Sequence, residues 1–150
     1  MPQTKCGFST GNGVSGQEAL VAHGPTLFVD IGFDPQYKSG AVPKLAANQL
    51  WALVDTGASE SCVDASLAKQ LALPVVDRRP VSGISGKHEV DVCLAHIHIP
   101  LLGFTIYGAF ASVNLLAGGQ RHSALIGRTF LQHFVMVYEG YTGTVTLSTP

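Results

Sequence analysis

Asp55 ends a run of apolar and small residues, Leu50 to Val54, and is followed by Thr56, Gly57, Ala58 and Ser59. Apolar runs head into cores, where a lone ionised carboxylate is costly unless something partners or uses it. Thr56 offers a hydroxyl, Gly57 permits close backbone approach, and Ala58 adds almost no bulk. Such a stretch suits a carboxylate at the floor of a cleft beside an extended ligand, where it can exchange protons with a reacting water. It equally suits a plain strand end and turn. The elements around it have to decide.

Those elements read as short strands. Leu27, Val29 and Ile31 alternate through residues 26–33, and a second strand at 49–54 delivers Asp55. Period-2 geometry puts Leu53 and Asp55 on one face and Val54 on the other. Asp64 caps a short helix with an apolar stripe of Leu67, Ala68 and Leu71, stopped by Pro74. A strand over 74–77 leads to Val81, Ser82, Gly83, Ile84, Ser85 and Gly86, a flexible hairpin tip whose isoleucine makes sense if it folds over a ligand. Strands follow at 89–99 and 104–113, then a loop at 115–123. Residues 124–126 form another strand and run into Gly127, Arg128 and one or two helical turns, and a hairpin at 134–147 closes the chain. Many short strands and two short helices predict an all-β, barrel-like domain over 23–150. Residues 1–22, rich in Gly, Ser, Thr, Asn and Gln, read as a flexible N-terminal arm.

At 150 residues the chain has room for one domain with a real core. Only 13% of residues are charged, about half the usual share. The net charge of −1, with Arg78 and Arg79 the only adjacent basic pair, argues against nucleic acid or an anionic membrane as partner. Cys6, Cys62 and Cys93 cannot all pair within one chain, and no C-x-x-C occurs. Free thiols, the lack of signal-peptide features and the lack of a spanning apolar run make a soluble, cytoplasmic protein the expectation.

Three separated stretches together resemble the retropepsin family of retroviral and retroviral-like aspartic proteases. Residues 53–58 are similar to its catalytic loop, Gly83 to Gly86 to its flap tip, and Leu125 to Arg128, with the short helix after them, to its second signature. The final hairpin looks closer to cellular and bacterial members than to viral ones. The resemblance implies a single-lobe closed acid-protease barrel and an aspartic endopeptidase that needs no cofactor or metal. It also implies roles: Asp55 catalytic, Thr56 bracing two loops across an axis, the Gly57 carbonyl accepting from substrate backbone. Leu53, Cys62, Val81, Ile84 and Leu125 fall at pocket-lining positions, and the flap with Gly83, Ser85 and Gly86 closes over an extended peptide.

That chemistry needs two carboxylates sharing a proton around a water. Asp followed by Thr-Gly or Ser-Gly occurs once, and Asp30, Asp34, Asp64, Asp77 and Asp91 lack the loop context. A homodimer in which each chain supplies one Asp55 is therefore expected. Two positions depart from the family's pattern. Ser59 stands where many viral members carry a second aspartate that pairs with the arginine equivalent to Arg128, which leaves Arg128 to a backbone carbonyl or to Glu60. Ala58 lacks the hydroxyl that pepsin-like relatives often have, which implies an activity optimum less acidic than pepsin's.

Other residues carry plainer readings. His96 and His98 share a strand face but lack a third metal ligand, and so read as solvent-facing; His88 reads as surface. Cys62 reads as a small buried thiol rather than a nucleophile, and Trp51 as packing in the core or a dimer interface. Gly118 and Gly119, with no Lys-Ser/Thr after them, are a loop. The competing function is a catalytically silent peptide-binding or dimerisation module on the same fold. A protease that cuts only its own N-terminal arm is a third.

Overall fold

In the computed structural model, which describes residues 2–11, 13–83 and 86–150, strand periodicity translates directly into a barrel wall. The elements in chain order are β1 (Gln3–Lys5), α1 (Gly16–His23), β2 (Thr26–Gly32), β3 (Ala47–Val54), β4 (Cys62–Asp64), α2 (Ala65–Gln70), β5 (Val75–Gly83), β6 (Gly86–Ile99), a 3-10 turn (Pro100–Leu102), β7 (Phe104–Val113), β8 (Ala124–Ile126), α3 (Arg128–Leu131), β9 (Val135–Glu139) and β10 (Thr144–Ser148). In β2, Leu27, Val29 and Ile31 are buried while Phe28 between them is exposed.

Seven strands lie in the order β2-β3-β8-β4-β7-β6-β5, and β2 pairs again with β6. The second pairing closes six strands into a barrel and leaves β5 outside it as one arm of a long hairpin. The expected all-β closed barrel is thus the fold. Its interior is filled by Val29, Ile31, Ala52, Val63, Ala95, Ile97, Ala124 and Ile126, none with measurable exposure. Each buried aliphatic side chain of Val or Ile size contributes about 1.5–3 kcal/mol. Among the described residues, no helix is long and apolar enough to cross a membrane.

Asp64 ties two parts of this frame together. One carboxylate oxygen accepts from the Leu67 amide and the Ser66 hydroxyl, capping α2; the other accepts from the amides of Leu115 and Leu116. Burial works to raise its pKa, but the Ser66 hydroxyl and these three amides outweigh that and hold it below the usual carboxylate value.

Two expectations need correction. Residues 3–11 and 13–23 are docked rather than a mobile arm. β1 pairs with β10 in a second sheet, ordered β1-β10-β9, and Cys6 and Leu20 are each 1% exposed. At two of its glycines no side chain fits: a Cβ on Gly7 would stand 2.2 Å from the Gly143 carbonyl oxygen, and one on Gly16 2.4 Å from that of Phe8. A third helix, α1, therefore joins the two that were expected, with the Ser15 hydroxyl capping it through the Glu18 amide.

His96 and His98 are buried, not solvent-facing. Barrel closure lays Gly32 beside His96 and Asp30 beside His98. The Asp34 amide donates to His96 Nδ1 at 3.1 Å, and the rings of Phe33, Tyr37 and Tyr107 surround the imidazole at 4.5–5.7 Å. His98 Nδ1 lies 2.9 Å from the Thr105 hydroxyl.

Candidate active site

Asp55 leaves β3 where that strand meets β8. The Val54 amide donates to the Pro25 carbonyl at 2.8 Å, and the Asp55 amide to the Ile126 carbonyl at 2.9 Å. The chain then turns on itself: the Gly57 amide donates to Asp55 Oδ1 at 2.8 Å and the Ala58 amide to the Asp55 carbonyl at 3.3 Å. This turn fixes one oxygen of the carboxylate. Asp55 is half-buried, and Thr56 and Gly57 are exposed.

The segment after β8 holds the loop from the other side. Backbone amides of Arg128 and Thr129 donate to the carbonyls of Ala58 and Ser59 at 2.9 and 3.0 Å. The Arg128 guanidinium donates to the Thr56 carbonyl at 2.8 Å. Of the two acceptors expected for Arg128 it takes the backbone carbonyl, while Glu60 pairs with Arg79 of β5 at 3.2 Å. That exposed pair joins the long hairpin to the Asp55 loop and contributes under about 1 kcal/mol. The Ser61 hydroxyl accepts from the buried Gly127 amide at 3.0 Å. Sequence reasoning missed Ser61, since one serine in a run of small polar residues carries no periodic signal.

Leu53, Leu125 and Cys62 lie in register across β3, β8 and β4. All three are partly exposed, whereas their chain neighbours Ala52, Val54, Ala124, Ile126 and Val63 are buried. The row therefore forms one wall continuous with Asp55, as strand alternation requires. Burial pushes the Cys62 thiol up to about 11, with the Asp55 carboxylate adding to it, so Cys62 is protonated at neutral pH and no nucleophile.

The hairpin is less directly tied to this wall. Its register runs from Val75 opposite Cys93 to Gly83 opposite Gly86. Ile84 and Ser85, expected at its tip, lie outside the described residues. Val81, opposite His88, lines a cavity of about 540 Å³ with Ala65, Arg78, Asp91 and Ser112, and Asp55 is not among its lining residues.

A family model described as aspartyl protease matches residues 44–130, more than half of the chain. The chain belongs to the aspartyl protease family. The match runs from just before β3 to α3, and so takes in the Asp55 loop, the hairpin and the Gly127–Arg128 brace. β1, α1 and the final hairpin lie beyond it, and they form the second sheet and its packing. No curated protein matches the chain.

Proposed function

We propose that the protein is an aspartic endopeptidase whose active unit is a homodimer with one Asp55 from each chain at the centre. The observation that carries this reading is that Asp55 sits on a fully braced turn yet remains half open to solvent, with exposed Thr56 and Gly57 beside it. A rigidly held, half-covered carboxylate at the end of an apolar wall is half of a site. A second copy of the same surface completes it through a twofold axis.

In the assembled pair, one Asp55 carboxylate takes a proton from the water as it attacks the peptide carbonyl, and the protonated partner donates to the carbonyl oxygen. The proton then passes to the leaving nitrogen. The substrate lies extended along the Leu53–Leu125–Cys62 wall, its backbone bonded to Gly57 and to the hairpin, which closes over it with Val81, Gly83, Ile84, Ser85 and Gly86. Apolar side chains flank the cut bond, since the wall offers apolar contact. Arg128 and Ala58 keep the turn in shape.

Incubation with an unfolded peptide pool between about pH 4 and 7 tests the proposal. Cleavage that is blocked by pepstatin and lost in Asp55→Asn supports it. Binding of peptides without cleavage throughout that range would favour the silent module instead.

A further inference from the structure

Another cavity lies next to Trp51, on the strand that carries Asp55. Trp51, Leu53 and Asp55 share one face of β3, so about 13 Å of strand separates Trp51 from the carboxylate. The Ser123 amide donates to the Trp51 carbonyl at 2.7 Å, two residues before Leu125 of the same wall. Beside Trp51 lies a cavity of about 360 Å³, lined by the last turn of α1 with His23, the glycine loop at 118–120, Arg121 and His122.

Its charge is one-sided. No acidic residue lines it, and among the described residues no carboxylate pairs with Arg121. The guanidinium is nevertheless held in place: it lies 5.4 Å from the Trp51 ring centre, and its Nη1 is 3.2 Å from His23 Nε2. An oriented, unneutralised guanidinium matches the planar fork of a carboxylate.

The second observation is His122, 4% exposed, its ring 5.8 Å from Trp51. Its Nε2 lies 2.9 Å from the Thr26 hydroxyl, which itself donates to the Gly24 carbonyl. Thr26 therefore accepts, Nε2 carries the proton, and Nδ1 is left buried without a partner. A buried polar atom in that state costs about 1–3 kcal/mol and calls for a function or a ligand. Burial, then the nearby His23 and Arg121, hold the His122 pKa below the usual value, which favours the neutral ring. β2 presents the Thr26 hydroxyl to it and β3 the Trp51 indole. An anion beside Arg121 offsets the guanidinium charge, favours a proton on Nδ1 and turns the orphan into a donor.

We propose that this cavity binds the carboxylate of an acidic side chain of the peptide substrate, three to four residues from the cut bond. The proposal rests on the protease reading for its ligand and adds a specificity element to it: an acidic residue at a fixed distance from an apolar cleavage site.

Trp51 is the only tryptophan and lies under the Arg121 guanidinium, so its fluorescence reports on ligands that engage Arg121. The test titrates Asp55→Asn protein with matched peptides bearing Glu or Gln at the distal position, and with inorganic phosphate, and separately maps cleavage sites of the wild type. The expected result is a Trp51 response at least tenfold more sensitive to the Glu peptide. Cleaved sites are enriched in Asp or Glu at one position, and both effects are lost in Arg121→Gln and partly kept in Arg121→Lys. Arg121 is exposed, so these variants fold. Cleavage with no acidic preference and equal Glu and Gln titrations would overturn the cavity's role and leave the protease reading intact. A Glu-selective response in a protein that cleaves nothing would support the cavity and overturn the protease. Equal responses to phosphate and peptide would reassign the cavity to a free anion and overturn the proposal.

Discussion

Arg128 and Thr56, 72 residues apart in the chain, are joined by a 2.8 Å hydrogen bond from the guanidinium to the backbone carbonyl one residue after Asp55. Because the acceptor is backbone, the brace needs no acid at Ser59. Arg128→Ala removes one charge-assisted bond on an exposed loop, worth about 1–2 kcal/mol. The expected outcome is a fall in kcat of roughly tenfold with a small change in Tm. Lysine at this position, lacking the planar fork, restores little. Steady-state kinetics and thermal melts of the two variants check this.

Gly127 has no room for a side chain. A Cβ there would stand 2.6 Å from the Glu60 carbonyl carbon and oxygen and 3.0 Å from the Ala58 carbonyl oxygen, all of them backbone. Its φ of −94° suits any residue, so the constraint is space alone. Gly127→Ala must push the Asp55 loop and the α3 segment apart. A loss of about 1–3 kcal/mol in denaturant unfolding is expected, together with loss of activity.

The N-terminal segment gives a prediction that separates docking from mobility. In Gly7→Ala the new methyl would meet the Gly143 carbonyl oxygen at 2.2 Å and the Val145 amide at 2.6 Å, which unseats β1 from β10. Limited proteolysis is expected to cut the variant within residues 1–25 at least tenfold faster than the wild type, because opening free energies set such rates.

Asp64 gives a pH dependence. Its pKa is depressed in the folded protein, so the stabilisation it supplies is fully present above the usual carboxylate value of about 4 and is lost as pH falls through the folded value. Asp64→Asn should be less stable by about 2–4 kcal/mol at neutral pH, since an amide nitrogen faces donors that the carboxylate accepted. The gap between variant and wild type narrows on going from about pH 5 to pH 2. Urea unfolding at several pH values measures it.

Much of the barrel was legible because its signals are local. Alternation in residues 27–31, the Asp64 cap, the turn glycines and the strand ending in Asp55 each depend on neighbouring residues. The N-terminal segment was not, because Gly7 answers to Gly143 across the fold and Gly16 to the carbonyls of Phe8 and Thr142, none of them an adjacent residue. The Ser15 and Glu18 spacing of a capping box was the one local sign of α1. His96 and His98 were misplaced for a related reason: only closure of β2 on β6, with the loop after β2 covering the ring, decides that their face is buried. At the site, the Asp55 motif was readable, but the partner of Arg128 was settled by a carbonyl, which sequence does not distinguish.

The central claim is that two chains each supply one Asp55. Mixing wild-type protein with inactive Asp55→Asn, allowing subunits to exchange above the dimer dissociation constant, and assaying activity per wild-type chain tests it most directly. A shared site predicts that activity falls to about one half with one equivalent of the variant and about one quarter with three, as wild-type chains are drawn into mixed dimers. Activity that stays constant at every ratio would mean that each chain works alone, and would contradict the account.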